Sequence, residues 1–514
     1  MEVSVKTTRK IGLITSISIL VGSVVGIGIF FKNISVFNAN NNYGINVLIA
    51  WIIAAIISTC TAICFGEASS ADPEGGIGGW ANKLCGKKLG YVVKINFNLF
   101  YLGILIACIA VFVSEAIFNI FNLSGKVHMG FIMLLTFGIF FILVALNYFA
   151  TKVSQISQIV LTTLKFVPII LIIVLGFVYL KNGNNLFDEN NAGFLFKPSQ
   201  PGQKINNSPQ LPNLGPVGIF ASLPAILFAF DSFTCVGSIG LEAKSKKTVP
   251  ISIVVGMVLV SIFYILITVV QILIGQGSIG ETFDLIFYNN PTAQIIFQYI
   301  VSVFMFVSIL GVCNSMILTA IRSFDKLVND KLIIGSNKLL SVANNRQLLA
   351  GTILFLIVEV IWLVLLTILS SSFNHDAFVD GFSNYATLFF FFIYGLIVLF
   401  TLINHITNKV KVNKFNTYFF VPISIISLIG ITIVFGYQFF YENIVRVFLD
   451  PNYHSSWGVL FGPSNPFKLK LWEVSIVFFI MLLLFMLLPI INYFLMKKKY
   501  FQEKNESKIE EAKI

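Results

Sequence analysis

The chain has 514 residues, of which 57% are hydrophobic and only 11% charged, whereas a soluble domain carries about 25% charged residues. So little charge cannot cover a protein surface in water, which excludes a set of soluble domains and implies that lipid is much of the outer solvent. The 34 Lys and Arg against 23 Asp and Glu do not indicate nucleic acid, because the bases sit in short clusters between apolar runs with no aromatic interleaving.

A bilayer core of roughly 30 Å needs about 20 apolar residues per helix. In chain order the apolar runs predict spans near 11–31, 45–66, 89–113, 128–149, 155–179, 216–240, 249–275, 292–321, 348–370, 380–404, 417–441 and 472–495. The first run is followed directly by a second of the same kind, so it reads as a span rather than a cleaved signal. The fold class expected is an all-α polytopic membrane protein of about twelve transmembrane helices. The six cysteines contain no CxxC pair, and five lie inside apolar runs; they read as small buried hydrophobes. Four scattered histidines do not suggest a metal site, and no cofactor is expected.

Lysine distribution sets the orientation. With a cytoplasmic N-terminus the inner segments hold 25 Lys and Arg and the outer ones eight, Lys32 among them, with Lys165 alone inside a span. Both termini are therefore expected in the cytoplasm, with the Asn-, Gly- and Pro-rich stretch 181–215 outside and a charged, frayed tail from 497 to 514.

Two spans break the helical rule. The first contains Gly22-Ser23-Val24-Val25-Gly26-Ile27-Gly28-Ile29-Phe30, with two of its glycines also spaced as a small-xxx-small packing face. The sixth contains Phe228-Ala229-Phe230-Asp231-Ser232-Phe233-Thr234, and a carboxylate at mid-membrane is expensive unless it is paired or lines a polar path. First and sixth are an odd number of spans apart, so two five-span halves beginning there would insert with opposite topology. Interrupted helices at matching positions in inverted halves point to a transporter site, because unwound backbone is tolerated at that depth only where it lines a cavity.

At these residues the chain resembles the amino acid–polyamine–organocation (APC) superfamily of permeases, which has the LeuT-like fold. Gly22–Phe30 is similar to its G-x-x-x-G-x-G-[IV]-F motif, and Pro73-Glu74-Gly75-Gly76 through Trp80 and Gly86 to Gly90 is similar to the motif after its second span. The run Phe228–Phe233 with Glu242–Pro250 resembles the sixth span and its basic cytoplasmic exit. Gly311-Val312-Cys313-Asn314-Ser315 and Arg322 resemble the eighth span. The resemblance covers roughly residues 8–410 and departs from the family at Ser232, where many members have Gly, and at Thr234, where Glu is frequent.

The resemblance implies a 5+5 inverted repeat with broken helices 1 and 6, followed by two further helices. The expected division is a cytoplasmic N-terminus at 1–10, a transport core at 11–404, two additional helices within 405–495 and a charged tail at 496–514. The implied activity is secondary transport of amino acids or related amines by alternating access in the cell membrane, proton-coupled or by exchange. Substrate-binding positions implied are Ser23, Val24, Gly26, Ile27, Gly28, Phe228, Phe230, Asp231 and Ser232, with Phe228 as the gating aromatic. Lys165 lies about ten residues into the fifth span, roughly 15 Å at helical rise. It is expected to exchange a proton or replace a coupling cation, since proton-coupled members can carry a Lys there; the alternative is a permanently charged strut on freed carbonyls. The partners expected are an amino acid or amine, protons and the lipid bilayer, with no nucleic acid. Two other functions remain open: an amino acid receptor or regulatory subunit on the same scaffold, and a membrane enzyme, for which no nucleophile elbow, Walker loop or catalytic carboxylate pair is present.

Overall fold

A computed structural model of the chain describes residues 11–26, 28–40, 43–121, 123, 126–181, 215–274, 290–344, 346–449 and 470–511. Among these, eleven helices are long and apolar enough to cross a membrane, and a shorter apolar helix precedes them. The short one is α1 (Leu13–Val24), followed by α2 (Gly44–Ala68), α3 (Lys87–Ile120), α4 (Met129–Phe149), α5 (Thr151–Lys181) and α6 (Gly215–Phe230). Then come α7 (Thr248–Ile274), α8 (Pro291–Asn329), α9 (Leu349–Phe373), α10 (Ala377–Thr407), α11 (Thr417–Leu449) and α12 (Leu471–Glu511). No strand occurs among the described residues; a lone bridge pairs Ile11 with Ala243.

The apolar runs found the helices, while local chemistry set their ends. Asn290 caps α8 by accepting the Ala293 N–H at 3.1 Å, with Pro291 at the first helical position, where a missing donor costs nothing. Asn416 accepts the Tyr418 N–H at 3.0 Å to start α11. Asn374 and Asn408 end α9 and α10 with φ of 49° and 57°, a left-handed conformation that asparagine tolerates. α8 runs eight residues past the expected end at 321, because hydropathy stops at Arg322 although the polar stretch after it still favours helix. For the same reason the tail expected to fray stays helical to Glu511. The expected outer loop at 181–215 falls almost entirely outside the described residues.

Over its most apolar stretch α3 is 94% buried, against 28% for α11. α3 is thus a central post, while the exposed Ile and Phe side chains of α11 meet lipid. α1 packs against α5, α7 and α8, and α6 against α2 and α10; α6 also meets the Gly28–Lys32 turn and α1 the Phe233–Glu242 segment, which places the two interrupted spans side by side. Away from the breaks, Glu67 at the end of α2 accepts from His405 Nδ1 at 2.9 and 3.0 Å and from the Phe415 N–H at 3.1 Å. His405 also stacks on Phe420. That buried cluster locks the ends of α2, α10 and α11 together.

Candidate functional site

A helix end leaves its last carbonyls without intrahelical donors, and α1 ends mid-membrane, where water cannot supply them. Val25 is extended, with φ −73° and ψ 113°, and helical structure resumes only at Gly28, as a wide turn through Lys32. Side chains from two other helices satisfy the freed carbonyls. The Lys165 ammonium on α5 donates to the Gly22 carbonyl and, at 3.0 Å, to that of Val25. The Tyr264 hydroxyl on α7 lies 3.1 Å from the Val24 carbonyl and 3.1 Å from that of Ala229, so one hydroxyl serves both interrupted spans. Glycine is needed for this approach: a Cβ on Gly28 would collide with the Ala229 backbone and side chain, and one on Gly26 with the Val312 side chain.

α6 breaks after Phe230. Asp231 and Ser232 form a turn, with Ser232 at φ 70°, and a narrower helix runs from Phe233 to Glu242. Asp231 is 2% exposed and turns toward α10, accepting from Thr387 Oγ1 at 3.0 Å and Tyr394 Oη at 3.2 Å. Tyr394 also contacts Thr234 Oγ1 at 3.1 Å. The Tyr101 hydroxyl of α3 lies beside Asp231 and Tyr394 without a well-directed hydrogen bond to either. Three hydroxyl-bearing residues therefore surround the carboxylate, and no basic side chain among the described residues pairs with it.

Lys32, at the end of the resumed first span, is fully buried. Its ammonium forms an ion pair with Asp380 of α10, donates to Asn384 Oδ1 at 2.8 Å and Ser383 Oγ at 3.3 Å, and sits 4.6 Å above the Phe228 ring. This contact ties the first span to the tenth across the Phe228 ring of the sixth. It was not legible in the sequence, where Lys32 follows an apolar run and counts as a loop lysine, and Asp380 opens another run. The only signal was a Lys one step outside one uncharged span and an Asp as the first residue of another otherwise uncharged one.

On α5, Ser154, Gln158, Thr162 and Lys165 recur on one helical face. Asn314 of α8 donates to Gln158 Oε1 at 3.0 Å and accepts from Ser154 Oγ at 3.1 Å and from Asn147 Nδ2 at 2.9 Å. The Asn of the eighth-span motif thus anchors a polar stripe that leads toward Lys165. A Cβ on Gly311 would stand 2.9 Å from Lys165 Cε, so that glycine makes room for the lysine between α1 and α8.

The positions singled out in the sequence divide into two groups. Val24, Gly28, Phe230 and their neighbours converge under Tyr264, where Phe230 packs with Trp51 and Tyr264 at ring centroids of 5.9 and 5.1 Å. Phe228 lies under Lys32, and Asp231 faces α10. Ser23 Oγ bonds back to the Leu20 carbonyl at 2.8 Å, and Ser232 Oγ contacts Met316 Sδ at 3.8 Å. Gly26 borders Val312, and Ile27 lies outside the described residues. Lys165 is brought onto the same break from the opposite side, in the contact expected of a strut. Tyr264, Thr387 and Tyr394 were missed, since a tyrosine or threonine in an apolar run gives no sequence signal that separates it from ordinary core.

The family model described as "Amino acid permease" matches residues 11–462. The b(0,+)-type amino acid transporter 1 of Mus musculus is 24% identical over 436 residues, covering 82% of each chain. The serine/threonine exchanger SteT of Bacillus subtilis is 23% identical over 323 residues, covering 60% of this chain and 66% of that one. Relatives in Mycoplasma pneumoniae and Caenorhabditis elegans are matched over 60% and 58% of their own lengths. Among solved structures, MhsT in complex with L-phenylalanine superposes with a TM-score of 0.51 at 15% identity, over 82% of this chain and 97% of that one. That likeness carries the fold, and with it the LeuT-like architecture expected from the sequence. By the extent of the family match, the chain is a multi-pass membrane protein that belongs to the amino acid permease family.

Proposed function

We propose that the chain is a secondary transporter that moves amino acids or related small amines across the cell membrane by alternating access. The observation that carries this is the pairing of two mid-membrane helix breaks, with Gly28 against Ala229 and one Tyr264 hydroxyl serving a carbonyl from each. Unwound backbone at that depth offers N–H and C=O groups to a substrate carboxylate and ammonium without any formally charged side chain. Substrate would be held by backbone of Val24, Gly26, Ile27 and Gly28 with Ser23, Phe230, Asp231 and Ser232 around it. Phe228, fixed under the Lys32–Asp380 pair, would close over it. The names of the relatives, an amino acid transporter and a serine/threonine exchanger, support an amino acid as substrate and leave exchange as a mode.

The chain is read as a core of two inverted five-helix halves at 11–404, two further helices within 405–495, and terminal segments at 1–10 and 496–514 in the cytoplasm, as the lysine bias indicates. The Lys32–Asp380 pair then lies on the outer side of the site, and opening the site to that side requires the pair to part. Lys165 stands where an ammonium can take the place of a coupling cation between α1 and α8, exchanging a proton with the medium. Uptake into proteoliposomes over a panel of labelled amino acids tests the proposal: concentrative or exchange flux of at least one is expected, and binding without flux for every member would refute it.

A further inference from the structure

Next to the Lys32–Asp380 pair lie two carboxyl groups that the pair does not use. Asp376 stands one turn before Asp380, is 1% exposed, and neither of its oxygens has a hydrogen-bond partner. Glu115, toward the end of α3, is 9% exposed, and its Oε1 has no partner either. The two carboxyls interact electrostatically with each other, and Asp376 also with the Lys32 ammonium. The other titratable groups around them are few. Cys108, on α3, faces both Lys32 and Glu115, and Glu359 of α9 faces Cys108. His375 Nδ1 stands 3.3 Å from Asp376 Oδ1, but that nitrogen accepts the Ala377 N–H at 2.9 Å. Its lone pair is therefore engaged, and it has no proton there to donate to the carboxylate.

Charge balance then decides what the pair holds. One ammonium faces Asp380 and Asp376, with Glu115 beside Asp376, and the ion pair neutralises only Asp380. A buried carboxylate with neither cation nor donor costs several kcal/mol, and a second one beside it adds repulsion. A proton removes both penalties, because a carboxylic acid is neutral and can donate to its neighbour. Because Asp376 and Glu115 present buried carboxyl oxygens without hydrogen-bond donors, the ligand that fits the chemistry is a proton. Asp376 lies just outside the helical span, and its burial pushes its carboxyl well above the usual carboxylate range.

We infer that Glu115 and Asp376 form a proton-binding site that couples closure of the Lys32–Asp380 contact to the pH of the medium on that side. The inference rests on reading that contact as a gate. With the contact closed and water excluded, the two acids carry protons. When the start of α10 moves away and water enters, they ionise, repel each other and hold the gate open. Acid on that side closes it and alkali opens it.

The test is accessibility of a cysteine at Ala116, which is 2% exposed in the closed arrangement, to an impermeant maleimide in proteoliposomes without substrate. Rates are divided by those of a cysteine at Leu123, which is 39% exposed, so the intrinsic pH dependence of thiol chemistry cancels. One proton linked to closure shifts the open fraction by up to about tenfold per pH unit. The normalised rate is therefore expected to rise at least about tenfold between roughly pH 5.5 and roughly pH 8. In the Glu115→Gln/Asp376→Asn background, where amides mimic the protonated acids, it should stay low and flat. If that double variant does not reach the membrane, Glu115→Gln alone should reduce the slope. A flat ratio without these changes, or an undiminished slope with them, overturns the inference. Labelling needs no transport, so absence of flux for every amino acid would refute the transporter reading while leaving this result separately legible.

Discussion

The Lys165 ammonium meets the Val25 carbonyl at 3.0 Å, across 140 positions of sequence, and so holds open the end of a helix that stops inside the membrane. A strut and a proton exchanger would share this geometry, but they differ in what replacement does. Lys165→Arg keeps a permanent charge; Lys165→Gln keeps a donor without one. Uptake is expected to be independent of sodium and to vary across about pH 5 to 8, with Lys165→Gln losing the pH dependence and at least about tenfold in rate. Lys165→Arg should retain thermal stability but not the pH response. Uptake that demands sodium, or an unaltered profile in Lys165→Gln, would leave only the strut.

The Lys32–Asp380 pair is buried on both sides, with side chains 0% and 3% exposed. Removing one partner of such a pair strands the other charge and typically costs about 3–5 kcal/mol. Asp380→Asn and Lys32→Met are each expected to lower uptake more than tenfold, about the kinetic equivalent of half that energy. The double variant should recover part of the loss, since no lone charge remains buried. A double variant as impaired as the sum of the singles would show that the two residues act independently.

Orientation can be read without any knowledge of substrate. A cysteine introduced at Asn190 should react with an impermeant thiol reagent in intact cells, and one at Ser507 should react only after permeabilisation. The reverse pattern would place Lys32 and Asp380 on the cytoplasmic side and overturn the orientation read from the lysines.

Much of the architecture was legible because the bilayer imposes one requirement on every span: about 20 apolar residues with all backbone bonds internal. The breaks showed as well, because three glycines in seven positions and an Asp in an apolar run both violate that requirement. The partners of the breaks stayed hidden. Tyr264 sits in an apolar run in which a tyrosine looks like any core aromatic, and only packing reveals that its hydroxyl reaches Val24 and Ala229. Lys32 reads as an interfacial lysine until the structure places Asp380 opposite it. Pairings between distant spans leave no periodicity in the chain, whereas spans and breaks do.

The closest test of the paired breaks is at Gly28. A Cβ there meets both the backbone and the side chain of Ala229, whereas at Gly26 it meets mainly Val312 Cγ2, the end of a side chain that can change rotamer. Overpacking of this kind typically costs about 1–3 kcal/mol, and backbone cannot yield as a methyl can. Gly28→Ala is therefore expected to reduce uptake by more than tenfold with normal membrane insertion, and Gly26→Ala by only a few-fold. The two effects can be separated from general damage by compensation. Ala229→Gly removes the opposing Cβ but leaves the Cα of residue 229, which the new methyl also meets, so Gly28→Ala/Ala229→Gly should regain part of the lost uptake but not wild-type uptake, while Gly26→Ala/Ala229→Gly should gain nothing. If Ala229→Gly fails to relieve Gly28→Ala, the two breaks do not bear on each other during transport, and the site must be sought away from their contact.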